Sequence, residues 1–211
     1  MSSYHRFLFV YDAKRDGVWR EICRFLQKHY ISPQAKILEI GAGYCHFINH
    51  IQGLEKHALD IFPEIEKYAT QEVKISMGSC TSMENYRDDS FDVVFASNLF
   101  EHLSREDFLK TLDEIKRVLV AGGRLIVIQP NFTHCYREYF DDPTHLQIFT
   151  HVGLSDCLTS SGFRLMDVRP RFLPFSMKSK LPKIPILVRW YLNSPLKPFA
   201  GQMLLVAEKR D

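Results

Sequence analysis

Two groups of residues in this chain have the types and spacing to do chemistry. The first is Ile37-Leu38-Glu39-Ile40-Gly41-Ala42-Gly43, an apolar run that ends in a glycine turn, with Asp60 closing the next strand-like run. Glycines let the main chain bend into positive φ and let a ligand approach the backbone. A helix N-terminus behind such a turn receives polar or anionic groups. An acid about 20 residues further on accepts hydrogen bonds from a ribose diol in nucleotide-binding folds. The second group lies in the polar, aromatic segment from Asn131 to His145, where Asp142 precedes His145 by three residues. These are the types needed for a general base and its orienting carboxylate. Asn131, Tyr136, Arg137 and Tyr139 are candidate substrate contacts, and Arg137 suits a carboxylate or phosphate. The plainer readings are a solvated lid and a histidine that packs on the following helix.

Such residues need a frame to hold them. Trp19, Ile22, Cys23, Phe25 and Leu26 recur at helical spacing, which predicts a leading helix over residues 13–29. Strands are expected at 36–41, 56–61, 72–77 and 91–96, with a short helical piece over 63–69. Ser104 and Asp107 form a capping pattern ahead of the stripe Phe108, Leu112, Ile115, Leu119, and Gly122-Gly123 should stop that helix. A fifth strand follows over 124–129, then a helix over 150–161 and two closing strands over 163–168 and 202–208. Alternation of this kind implies an α/β, Rossmann-like, doubly wound and mostly parallel seven-stranded sheet with helices on both faces. Ligands in such sheets bind beyond the carboxyl ends of the strands, where strand order reverses. Gly41, Asp60, Ser79, Asn98 and Asn131 all fall at or just past those ends.

Composition permits one domain over 1–211. It divides into a leading segment (1–34), a cofactor-binding core (35–169), a basic, proline-rich insertion (170–199) and a closing strand with its tail (200–211). The five cysteines are odd in number and lack any CxxC spacing, which fits reduced thiols in the cytoplasm. No apolar run reaches the length of a membrane span, and no secretory leader is expected. His46 beside Cys45 has no further ligand at metal spacing, so packing is the better reading and no metal is expected.

A dinucleotide fingerprint would need glycine at positions one, three and six of the turn, and His46 occupies the sixth. NAD is therefore disfavoured. The segments ILEIGAG, DDSFDVVFASNLFEHLSREDFLKTLDEIKRVLVAGGRLIVIQPN and THLQIFTHVGLSDCLTSSGF together resemble class I S-adenosylmethionine-dependent methyltransferases over about residues 35–168. That resemblance implies S-adenosyl-L-methionine as cofactor and methyl transfer to oxygen or nitrogen of a small molecule. It implies a cofactor site of Glu39, Gly41, Ala42, Gly43, Asp60, Ile61, Ser79, Cys80, Asn98 and Phe100. Glu39 would orient the methionine part, Asp60 would hold the ribose, and Asn98 and Phe100 would line the sulfonium side. The family's GxGxG has its last glycine replaced by Cys45, and Ser79-Cys80 stands where an adenine-binding acid is common. His102, in EHL, becomes a competitor to His145 as the catalytic group. The alternative is a catalytically silent S-adenosylmethionine-binding module that acts through the basic stretch 170–199 as a partner or membrane surface.

Residues 170–199 hold six cations and no acid, a charge of +6 against +2 for the whole chain, so the remainder carries −4. Six prolines and five aromatics share the stretch. This predicts contact with an anionic membrane surface or with an anionic, lipid-linked acceptor such as a glycan. A lid or a dimer contact is the plainer reading. Nucleic acid is disfavoured, because no RNA-binding aromatic-basic motif is present.

Overall fold

The structure is a computed structural model that describes residues 11–174 and 184–210. Helix α1 spans Lys14–His29, β1 Lys36–Ile40, α2 His46–His50, β2 Glu55–Asp60, β3 Val73–Met77 and β4 Phe91–Ser97. Then come α3 (Arg105–Val118), β5 (Leu119–Pro130), α4 (Phe132–Cys135), α5 (His151–Ser160), β6 (Phe163–Pro174), α6 (Pro185–Asn193) and β7 (Ala200–Lys209). One seven-stranded sheet results, in the order β3-β2-β1-β4-β5-β7-β6. Strands β1 to β5 run parallel and β7 is antiparallel to both of its neighbours. Strand order reverses between β1 and β4, so the crevice at their carboxyl ends is the expected ligand position.

Side-chain alternation splits the core in two. Ile37, Val93, Phe95, Ile126 and Ile128 face a cluster built with Val18, Ile22, Phe25 and Leu26 of α1, Phe47 of α2 and Leu192 of α6. Leu38, Ile40, Val94, Leu125 and Val127 face a second cluster with Phe108, Leu112 and Ile115 of α3 and Leu154 and Leu158 of α5. The central strands are therefore apolar on both faces, as parallel sheets require. Helix α3 starts where its capping pattern predicts, with Ser104 Oγ accepting from Asp107 N at 3.0 Å.

Three local expectations are corrected. Helix α3 ends at Val118, not at the glycine pair, because Leu119 is buried and pairs with Phe91 in the sheet. Gly122 (φ +71°) and Gly123 instead shape an irregularity within β5. A Cβ on Gly123 would lie 2.8 Å from the carbonyl of Val120. The helical piece after β2 shrinks to one 3-10 turn, Ile65–Lys67. The stretch 170–199 is not a free insertion: its start belongs to β6, and α6 packs on α1. There Arg189 donates to both carboxylate oxygens of the buried Glu21, at 2.8 and 3.0 Å. Lys178, Lys180, Lys183, Phe175 and Pro182 of that stretch lie outside the described residues.

Candidate active site

The glycine turn leaves β1 through two positive-φ residues, Gly41 (+65°) and Gly43 (+49°). They serve different needs. A Cβ on Gly41 would meet Leu99 Cδ1 at 2.9 Å, so this glycine is required by packing as well as by φ. A Cβ on Gly43 would meet nothing within 4 Å, so its surface is open to a ligand. Asp60, at the end of β2, ties the turn down: its Oδ2 accepts from Gly43 N at 2.7 Å and its Oδ1 from Phe62 N at 2.8 Å. A carboxylate has about four lone-pair sites, so Asp60 keeps acceptor capacity for hydroxyl groups. Cys45, where the resembling family has glycine, also adopts positive φ (+58°) and is fully buried. Burial pushes its thiol up to about 12, so it is a packed neutral group.

Glu39 lies on the face of β1 towards α2 and is buried. The sequence demands a partner for such a carboxylate, and Ile48 N supplies it, donating to Oε2 at 3.0 Å. Burial, with the Asp60 charge adding, still raises the Glu39 carboxyl well above the usual range. Ala42 is buried between the glycines, and Ile61 is 64% exposed beside Asp60. Past β3, Ser79 Oγ bonds Thr81 Oγ1 at 2.7 Å, while Cys80 is packed in the core and its sulfur accepts from Thr111 Oγ1 at 3.4 Å. Past β4, Asn98 takes a positive φ (+49°) and its Oδ1 accepts from Gln202 Nε2 at 2.8 Å. Backbone strain at a non-glycine residue on this rim is of the kind that concentrates at functional sites. The Phe100 ring turns inward: it is fully buried against Phe108, with centroids 5.1 Å apart.

The segment after β5 folds back over the turn that follows β4. Leu146 N donates to the carbonyl of Glu101 at 2.7 Å, and Gln147 N to the same oxygen at 3.2 Å. Two of the candidate substrate residues are tied into this loop by their own hydrogen bonds. Asn131 is fully buried, donates to the carbonyl of Pro170 at 2.9 Å and accepts from Thr133 N. Tyr139 is fully buried and donates its hydroxyl to Gln147 O at 2.6 Å. Tyr136 and Arg137 are exposed and touch each other, with Arg137 Nε donating to Tyr136 Oη at 3.2 Å.

The Asp142–His145 pair also forms differently from expectation. Asp142 Oδ1 accepts from Thr144 N and Oγ1, at 3.0 and 2.6 Å, and Thr144 Oγ1 in turn accepts from His102 Nδ1 at 2.9 Å. His145 Nδ1 instead donates to the carbonyl of Tyr139 at 2.6 Å. Burial opposes the Asp142 charge, but the Thr144 hydrogen bonds and the two histidines hold its carboxyl below the usual value. Asp142 thus orients His102 through Thr144, and the imidazoles of His102 and His145 lie 4.9 Å apart. Because each Nδ1 donates to an oxygen with no proton left to offer, each neutral ring carries its lone pair on Nε2. Beneath them Glu101 is fully buried, and burial pushes its carboxyl up to about 8.

One group escapes the sequence reading. Tyr11 stacks on His46 (5.6 Å, 9°) and meets Tyr44 and Tyr68 at 5.6 and 5.3 Å, while Tyr44 also meets Phe62. His46 Nδ1 bonds Asp16 of α1 at 2.8 Å, so it packs, as expected, and it anchors α1 to α2. Aromatics scattered from Tyr11 to Tyr68 leave no periodic signal, so only the fold assembles this wall beside the glycine turn.

Comparison with known proteins agrees with this geometry. Residues 38–127 match the family described as "Methyltransferase domain". An uncharacterised protein of Methanocaldococcus jannaschii is 30% identical over 161 residues, 72% of this chain and 68% of its own length. The phosphoethanolamine N-methyltransferase of Plasmodium falciparum is 22% identical over 174 residues, 76% of this chain and 65% of its own length. The chain thus spans about two thirds of these relatives. The crystal structure of a SAM-dependent methyltransferase from Archaeoglobus fulgidus superposes with a TM-score of 0.70 at 21% identity, covering 99% of this chain and all of the other. The chain belongs to the class I S-adenosylmethionine-dependent methyltransferase family, and its cofactor is S-adenosyl-L-methionine.

Proposed function

We propose that the chain moves the methyl group of S-adenosylmethionine to an oxygen or nitrogen of a small molecule. The observation that carries this reading is the open main chain at Gly43 held 2.7 Å from the Asp60 carboxylate, at the point where strand order reverses. Gly41 and Gly43 would cradle the cofactor, Asp60 would hold its ribose, and Glu39 would sit below the methionine part. When bound, the cofactor supplies a methyl carbon already activated by its sulfonium. The protein's task is then alignment and proton removal, and alignment alone contributes several kcal/mol.

His145 is the group we assign to proton removal. Its Nδ1–H is held by the Tyr139 carbonyl, which aims the basic lone pair through Nε2. His102, oriented by Thr144 and Asp142, lies beside it with its ring inclined at 56°. Tyr136 and Arg137, exposed on the same loop, would meet a polar or anionic acceptor. The P. falciparum relative named for methylating a phosphorylated amine is consistent with a small polar acceptor of this kind. The test is calorimetry with S-adenosylmethionine, followed by S-adenosylhomocysteine production from pooled amines and alcohols. No heat rejects the cofactor site; heat without product favours the silent module.

A second reading adds a membrane contact through 170–199. Trp190, Leu196 and Phe199 are 70%, 76% and 80% exposed, and Ile184, Ile186 and Leu187 add to the apolar surface. Aromatic and apolar groups of this kind suit the interface. Among the described residues, however, Arg189 is occupied by Glu21 and Lys197 by the carbonyls of Tyr191 and Leu192, so charge contributes less than +6 implies. No helix among the described residues is long and apolar enough to cross a membrane. Sedimentation with phosphatidylserine vesicles decides it; protein left in the supernatant at low salt removes the idea.

A further inference from the structure

We propose that Glu101, His102 and His145 form a binding site for a divalent transition-metal ion, with zinc the best match. One nitrogen of each histidine and a carboxylate oxygen of Glu101 lie within 4.8 Å of one another. Ligands on zinc at about 2.0–2.2 Å stand roughly 3–4 Å apart, so the three need to close by only about 1–2 Å, within reach of side-chain rotation.

Two further observations point to an ion. Glu101 is fully buried, and neither of its carboxylate oxygens has a hydrogen-bond partner beyond its own main chain among the described residues. Burial without a further donor disfavours the charged form of this carboxyl, and a bound cation is the counterpart that would favour it. Independently, both histidines have Nδ1 on an oxygen, which fixes the tautomer as the outer partners of metal-ligating histidines do. For His145 the acceptor is the Tyr139 carbonyl at 2.6 Å, and for His102 it is Thr144, itself backed by Asp142. Two imidazoles and one carboxylate suit zinc or iron(II) and are a poor set for magnesium or calcium, which prefer all-oxygen shells. Three protein ligands leave a position open for another molecule.

The proposal goes beyond the methyl-transfer reading and competes with it only for the His145 lone pair; ion uptake is measured without cofactor or acceptor, so its failure is distinguishable from failure of the cofactor site. Ligation would occupy the same Nε2 that serves as base in the ion-free protein. The experiment titrates chelator-stripped full-length protein with zinc chloride by calorimetry and with cobalt chloride by visible absorption. Expected are one equivalent bound, a d–d band near that of tetrahedral cobalt, and a zinc-dependent rise in melting temperature. Glu101→Gln and His145→Ala should each weaken zinc by on the order of a hundredfold and remove the melting shift, with magnesium giving no response. Because Glu101 is buried, circular dichroism must show that Glu101→Gln folds. If it does not, His145→Ala, at a half-buried position, carries the test alone. No uptake by wild-type protein at 100-fold excess, or uptake unchanged in His145→Ala, overturns the proposal.

Discussion

The two halves of the candidate site are built on different principles. On the cofactor side, the turn between β1 and α2 works through its backbone: positive φ at Gly41, Gly43 and Cys45, and an Asp60 carboxylate that grips two main-chain amides. On the proposed acceptor side, the work would fall to side chains from places far apart in sequence. Glu101 and His102 follow β4, while Thr144 and His145 return from beyond β5. A site made of backbone conformation is rigid and tolerates little change in side-chain size. A site made of side chains can be altered residue by residue, which is how one fold serves many acceptors.

Substitutions break that contrast in different ways. Gly43→Val should have the largest effect: cofactor heat in calorimetry is abolished, because the new side chain fills the space open to the ligand. Folding should survive, since the added Cβ meets nothing within 4 Å and only the positive φ must be borne, at about 1–2 kcal/mol. His145→Ala should do the opposite, lowering turnover by roughly 10²–10⁴ while leaving cofactor affinity alone. If His145→Ala weakens cofactor binding as much as turnover, the two halves are not separate.

Asp60→Ala comes next, at roughly 1–3 kcal/mol of cofactor affinity. It should also lower unfolding free energy by a comparable amount, because Gly43 N and Phe62 N lose a charged acceptor. Calorimetry and urea melts measure the two effects separately. A loss of affinity with unchanged stability would mean that the amide contacts are incidental and that Asp60 serves the ligand alone.

The same contrast explains which parts of the molecule are legible in its sequence. Backbone demands leave local marks: Gly41, Gly43 and Asp60 lie within one strand-turn-helix-strand unit, and the apolar runs of β1 and β4 with the Ser104 cap announce the frame. The acceptor side leaves none. Asp142 sits at the spacing expected of a partner for His145, yet Thr144 takes the carboxylate and hands it to His102 from another segment. Asn131 and Tyr139 have the types of substrate contacts, because polar and aromatic residues after a strand usually are exposed, and both prove fully buried. Phe100 turns inward because side-chain direction in a 3-10 turn does not follow from sequence spacing. Glu101, adjacent in sequence to His102 but 44 residues from His145, is joined to them only by the fold.

The smallest effect should come from Cys45→Gly, and its sign is informative. Glycine would remove the strain of a non-glycine residue at φ +58°, worth on the order of 1–2 kcal/mol. Against this stand the loss of a fully buried side chain, about 1 kcal/mol, and the extra freedom of glycine in the unfolded chain, about 0.5–1 kcal/mol. These terms nearly cancel, so urea melts should show a change within about 1 kcal/mol. Cofactor affinity should stay within a few fold, because the buried neutral thiol points into the core and the backbone path of the turn is unchanged. A marked gain in affinity would mean that Cys45 distorts the turn, and the cofactor half would then be less optimised than its glycines suggest.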